Sequence, residues 1–151
     1  MTTFLWIKLV HILSATVLFG TGLGTAYFML RAYLSHSEAA ILETSKHVVQ
    51  ADWFFTTPAV VVQLLTGVWL TNQLAISFTS AWFIVVIGLY ALVGACWIPV
   101  VWIQIRVRRL LTEGAPRDSY RNLMRAWIGL GVPAFAGVLV LFWLMVSKYG
   151  A

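Results

Sequence analysis

Four long stretches without a charged side chain punctuate this chain, separated by short segments where charges gather. The first runs from Leu9 to Leu30 between Lys8 and Arg31, and the span built around it is read as residues 5–31. The others are read as 53–75, opening after Asp52; 82–105, closing before Arg106; and 126–147, between Arg125 and Lys148. About 20 apolar residues in a helix cross a hydrocarbon core of roughly 30 Å. Within each stretch the apolar positions run on without alternating, the pattern of helices and not of barrel strands. The expected fold is therefore all-α: a polytopic membrane protein, with residues 1–151 forming one four-transmembrane-helix bundle. The first stretch is too long for a signal peptide and no small-residue cleavage site clearly ends it, so a retained helix is expected.

The segments between spans hold local signals. Ser35-His36-Ser37-Glu38 fits a capping box, and residues 38–51 then read as a helix feeding straight into the second span. Gly114-Ala115-Pro116 breaks the long connection before the last span, where Asp118 or Ser119 is placed to cap a helix. Pro58, Pro99 and Pro133 each remove a backbone donor and predict local kinks. Gly20 and Gly24 form a Gly-x-x-x-Gly pair that suits a close helix crossing, within one chain or between two. Gln63 and Gln104 carry amides that need partners in an apolar medium, and interhelical hydrogen bonds are the expected answer.

Composition sharpens this picture. Charged residues make up only 10% of the 151 and hydrophobic ones 61%, with a mean hydropathy of +0.89. A soluble domain carries about 25% charged residues. Eight tryptophans suit rings lodged at headgroup level. The net charge of +5 is informative through its placement. Arg106, Arg108, Arg109, Arg117, Arg121 and Arg125 fall between the last two spans, and Arg31 and Lys46 lie on the same side. Only Lys8 and Lys148 lie opposite. The positive-inside rule then places the arginine loop in the cytoplasm and both termini in the periplasm or exterior. Arg117, Arg121 and Arg125 form a stripe suited to anionic lipid headgroups, with no nucleic-acid partner expected. Cys96 stands alone in an apolar run and reads as a small buried hydrophobe.

Candidate chemistry is sparse. Gly-x-Ser-x-Gly, Walker and His-Glu-x-x-His motifs are absent, and no acidic residue falls at mid-span. His11 is the single histidine inside a span, about 5 Å deeper than Lys8 at the helical rise. Neutral imidazole ligates haem iron well, and equally makes an interhelical hydrogen bond. Ser14, Ala15, Leu18, Gly22 and Thr25 share its helix face, which suits a flat cofactor or a neighbouring helix. His36 and His47 belong to the arginine side, on the order of 25 Å away, and cannot share an iron with His11 in one chain. Met145 stands at the depth of His11 and is either a second axial ligand or a core filler. Lys8 and Lys148 are placed to meet haem propionates or simply to snorkel to headgroups. Asp52 opens the second span as a cap, a proton acceptor or, favoured here, an ion-pair partner of an arginine such as Arg125.

Ala51-Asp52-Trp53-Phe54-Phe55-Thr56-Thr57-Pro58-Ala59, followed by Gln63-Leu64-Leu65-Thr66-Gly67, resembles the bacterial integral membrane family called domain of unknown function 2269. The closing stretches Gly131-Val132-Pro133-Ala134-Phe135 and Leu141-Phe142-Trp143-Leu144-Met145 extend the likeness over essentially the whole chain. The resemblance implies a bacterial inner membrane. A more distant likeness, to HemJ-type protoporphyrinogen oxidases and CopD-like membrane proteins, rests on Trp6-Ile7-Lys8-Leu9-Val10-His11 with Phe19-Gly20-Thr21-Gly22. It also rests on Thr57-Pro58-Ala59 with Thr66-Gly67-Val68-Trp69-Leu70. In the HemJ type the first-helix histidine is implicated in b-type haem binding, a role this resemblance carries to His11. Those proteins also have an activity-linked lysine early in the third helix. Here Trp82-Phe83-Ile84-Val85-Val86 has none, so the resemblance implies haem b without protoporphyrinogen oxidation. The leading expectation is a redox protein with haem b on His11, serving a quinone or another electron donor. The alternatives are a non-enzymatic membrane subunit or assembly factor, with homo-oligomers possible, and a small-molecule or metal permease.

Overall fold

The computed structural model describes residues 2–147. It consists of α1 (Thr3–Leu34), α2 (Glu38–Ala51), a π turn (Asp52–Thr56), α3 (Thr57–Gln73), α4 (Ala81–Thr112) and α5 (Asp118–Ser147). With α2, the π turn and α3 taken as one rod, four helices are long and apolar enough to cross a membrane. The all-α reading holds, as does the helix at residues 38–51 running directly into the second span.

The helices outrun the uncharged stretches. α1 and α4 have 32 residues each, about 48 Å at the helical rise, against roughly 30 Å of hydrocarbon. The surplus gathers at the arginine-rich end. On α4 the buried positions Ile103, Gln104, Val107 and Leu111 recur at helical spacing, while Arg106 and Arg109 point outward. The helix therefore continues past its lipid-facing part as an amphipathic one. Its partners are Met29 and Ala32 of α1, Ile41 and Val48 of α2, and Tyr120, Met124 and Trp127 of α5. This cluster is the main hydrophobic core, and it lies wholly at the arginine-rich end. Withdrawing such a side chain from water contributes about 1.5–3 kcal/mol each.

Toward the end that holds the termini, most large side chains face outward into what would be lipid. The helices there meet through a few specific contacts. Phe19 of α1 stacks on Phe135 of α5 with centroids 5.2 Å apart. Tyr90 of α4 donates to the Val60 carbonyl of α3 at 2.8 Å. The indole of Trp82 donates to the Leu144 carbonyl at 3.2 Å.

Several local expectations change. Ser37, not Ser35, caps α2 by accepting from the Ala40 amide, and Glu38 is the first helical residue. Ser35 instead closes α1, its hydroxyl donating to the Ala32 carbonyl at 2.7 Å. Asp118 pairs with Arg121 at 3.0 Å in the first turn of α5. Arg117 turns back to the α1–α2 corner, where it donates to His36 and lies over the Tyr33 ring at 5.1 Å. A Cβ added at Gly20, Gly22 or Gly24 would meet nothing within 4 Å among the described residues, so these glycines make no close crossing there. The close approaches are at Gly67, where an added Cβ would lie 3.2 Å from the His11 ring, and at Gly137, 2.7 Å from Val93.

Pro58 accounts for the π turn. Its nitrogen cannot donate, and its ring would strike the carbonyl four residues back in a regular helix. Inserting one residue into the turn relieves that clash, at a place where π geometry is often functional. The Asp52 carbonyl then accepts from both the amide and the hydroxyl of Thr57.

Candidate functional site

His11 turns toward α3, and both of its ring nitrogens find partners there. Nδ1 lies 2.8 Å from the Thr66 hydroxyl and Nε2 lies 3.0 Å from the Gln63 amide nitrogen. The hydrogens follow from the donors. An amide nitrogen can only donate, so Nε2 accepts and Nδ1 carries the proton. That proton goes to Thr66, whose own hydroxyl donates to the Val62 carbonyl at 2.6 Å. On the other side, Ser14 donates to the Gln63 carbonyl oxygen. The result is a one-way relay of hydrogen bonds: Ser14 to Gln63 to His11 to Thr66 to Val62. With the Gln63 amide oriented in this way, the imidazole is the Nδ1–H tautomer. Gly67 leaves room for the ring to lie flat against α3.

The relay adjoins a lipid-facing hollow of about 280 Å³ between α1 and the π turn with α3. Ser14 lines it, among Val10, Leu13, Phe54, Phe55 and Pro58. The polar end of the relay thus borders an otherwise apolar hollow. On the same face, nearer the arginine-rich end, Thr25 and Phe28 of α1 line a second hollow of about 370 Å³ with Thr44 and His47.

Haem ligation makes a specific demand on this geometry. An iron ligand needs a ring nitrogen whose lone pair is free. Here Nε2 already accepts from Gln63, and Nδ1 is protonated toward Thr66. As arranged, the imidazole does not fit an iron, and Gln63 would have to turn away first. Met145 is partly exposed on α5, and Lys8 is exposed near the start of α1. Lys148 lies outside the described residues. Among the described residues no three His, Cys, Asp or Glu side chains are grouped to hold a metal.

Asp52 departs from the ion pair expected of it. The residue is 5% exposed and its carboxyl is turned into the bundle, while Arg125 is exposed on α5 and makes no ion pair among the described residues. The carboxyl accepts instead from the Thr56 hydroxyl at 2.9 Å, with the Trp97 side chain close by. Gln104 completes the set. The Trp127 indole can only donate, so Gln104 must present its oxygen there, at 3.2 Å. Its amide nitrogen then faces Asp52 Oδ2, also at 3.2 Å. Three elements, the π turn, α4 and α5, are tied through one buried carboxyl.

Of the residues singled out in sequence, the structure joins His11 to Gln63 and Asp52 to Gln104. Ser14 was visible only as a residue on the His11 face. Thr66, Trp97 and Trp127 were missed as site residues, because hydroxyls and indoles are ordinary in membrane helices and helix rotation decides which of them point inward.

Fold and site together define a polytopic α-helical membrane protein with two interhelical polar networks, one part-buried around His11 and one buried around Asp52. The chain belongs to the family described as predicted integral membrane protein (DUF2269), whose model matches residues 5–149. No curated protein and no solved structure matches it.

Proposed function

We propose that this protein withdraws a long-chain amphiphile with a carbonyl-bearing head group, of the isoprenoid-quinone class, from the surrounding bilayer. The observation that supports this reading is the position of Ser14. It lines the apolar hollow beside Phe54 and Phe55, and it is the first donor of the relay to Gln63 and His11. A head-group carbonyl in the hollow needs a donor, and Ser14 has one hydroxyl proton that can turn from Gln63 toward it. The apolar walls suit an isoprenoid or acyl tail. The relay ends on a backbone carbonyl, which offers a proton no exit. The site therefore binds and orients a head group.

In this reading the membrane is a bacterial inner membrane, with the arginine-rich end cytoplasmic and the termini outside. Haem b on His11, with Met145 opposite and Lys8 and Lys148 at the propionates, stands as the redox alternative implied by the HemJ-like first helix. It requires Gln63 to release Nε2.

One preparation separates these readings. The protein in nanodiscs is titrated with a decyl-tailed benzoquinone, following quenching of tryptophan fluorescence, beside Ser14→Ala and Gln63→Leu variants. Saturable quenching in wild type, weakened at least several-fold in Ser14→Ala, is expected. Equal quenching in all three, linear in quinone as for free bilayer partitioning, overturns the proposal. An oxidised and dithionite-reduced visible spectrum of the same sample, beside His11→Ala, reports haem directly.

A further inference from the structure

We propose that Asp52 is a proton-binding site, loading and releasing one proton on Oδ1, next to Thr56, through reversal of the Thr56 hydroxyl. The inference rests on the hydrogen-bond inventory around the carboxyl and is independent of the amphiphile reading.

The argument begins at Trp127. Its indole N–H is donor-only, which fixes the orientation of Gln104 and places an amide N–H against Oδ2. Oδ2 is therefore an acceptor in either charge state. Oδ1 faces a group of a different kind, because the Thr56 hydroxyl at 2.9 Å can donate or accept. With the carboxylate ionised, Thr56 donates to Oδ1. When a proton arrives from interfacial water, the Oδ1–H bond forms and the acid donates to the Thr56 oxygen. The freed hydroxyl proton turns away from the carboxyl toward the helix backbone, where threonine hydroxyls commonly donate to a carbonyl of the preceding turn. Release reverses these changes. No atom of the Gln104–Trp127 pair needs to move, so both charge states are satisfied within one packing.

The surroundings favour a group that changes charge over one that holds it. An ion in this position is costly unless a cation or several donors compensate it. The donors are Thr56 from the π turn and Gln104 from α4, with Trp97 of α4 close by and Trp127 of α5 behind Gln104. Among the described residues the carboxyl makes no ion pair. Arg106 and Arg125, which flank the network in sequence, are exposed. A structural carboxylate would be expected to recruit one of the arginines at this end. Asp52 is instead surrounded by neutral groups that tolerate both of its forms.

The chain has only two aspartates, Asp52 and Asp118, which makes the test direct. The whole protein, labelled with carbon-13 at the aspartate carboxyl, is titrated in nanodiscs by NMR, and Asp118→Asn identifies the exposed residue's signal. The Asp52 signal is expected to move between its ionised and protonated positions in one reversible transition. The indole signals of Trp97 and Trp127 should follow with the same midpoint, and Thr56→Val should displace that midpoint. An Asp52 signal fixed at either position over the whole range in which the protein stays folded overturns the proposal. So does a transition whose midpoint Thr56→Val leaves unchanged, since the proton would then not reside on Oδ1. The titration uses wild type, so it does not depend on an Asp52 variant folding.

Discussion

Replacing Gln63 with leucine tests the relay at its centre. The side chain contributes two links, an amide N–H to His11 Nε2 at 3.0 Å and a carbonyl oxygen that accepts from Ser14. Leucine fills nearly the same volume, so the change is chiefly the loss of hydrogen bonds. Interhelical polar contacts in membranes average about 0.6 kcal/mol and reach about 1.7. Ser14 retains an acceptor in the His11 carbonyl at 2.9 Å, so its loss is small. The imidazole Nε2 has no such reserve, and an orphaned acceptor in an apolar setting costs about 1–3 kcal/mol. The expected destabilisation is about 1–2 kcal/mol, read from reversible unfolding in mixed micelles. Combining it with His11→Leu in a double-mutant cycle should return a coupling of about 0.6–1.7 kcal/mol. Nitrogen-15 spectra of the ring should show the Nδ1–H tautomer in wild type. A coupling of zero within error, or an Nε2–H tautomer in wild type, would refute the donor ordering from which the relay was built.

Other expectations address the packing. Gly137→Ala brings a Cβ to 2.7 Å from Val93 and should destabilise the protein by about 1–3 kcal/mol, with Val93→Ala in the same chain restoring part of the loss. Unfolding of the single variant at the wild-type midpoint would mean that α4 and α5 do not cross this closely. Alanine at Gly20 and Gly24 should leave the unfolding of the isolated chain within about 0.5 kcal/mol of wild type, because no neighbour among the described residues lies within 4 Å. A larger loss in that experiment would show a crossing at those glycines. Tyr120 has a buried hydroxyl with no hydrogen-bond partner among the described residues, so Tyr120→Phe should be neutral or stabilise by up to about 1 kcal/mol, and a clear destabilisation would reveal a hidden partner.

The spans were legible because lipid imposes a simple pattern: long runs in which nearly every residue is apolar. Their ends were not, since Arg106 stops a hydropathy run without stopping a helix whose buried face continues through Val107 and Leu111. The helix at residues 38–51 showed in its sequence signals, yet the cap moved from Ser35 to Ser37 because Ser35 was already closing α1. His11, Gln63, Asp52 and Gln104 could each be recognised as polar groups in want of partners. Which met which depended on helix rotation, and rotation leaves little trace in a stretch that is apolar all round. The same ignorance hid which glycines meet a neighbour inside the chain. Spacing marked Gly20 and Gly24, whereas Gly67 and Gly137 are the ones lying opposite a neighbour. For Asp52 the abundance of arginines pointed to an ion pair, but its carboxyl is directed inward and Arg125 outward.

The concentration of the core at the arginine-rich end gives the molecule a graded mechanical character. At that end α1, α2, α4 and α5 are clamped by side chains withdrawn from any solvent, as in a small water-soluble domain. At the other end, cohesion rests on scattered hydrogen bonds and ring contacts, with the bilayer itself filling the remaining surface. The protein resembles a clothes-peg, its spring near one membrane face and its jaws within the lipid. Lateral pressure and membrane thickness should therefore act on the jaws first, parting α1 from its neighbours while the spring stays shut. Amide exchange across the hydrocarbon depth would then rise steadily from the arginine-rich end toward the termini.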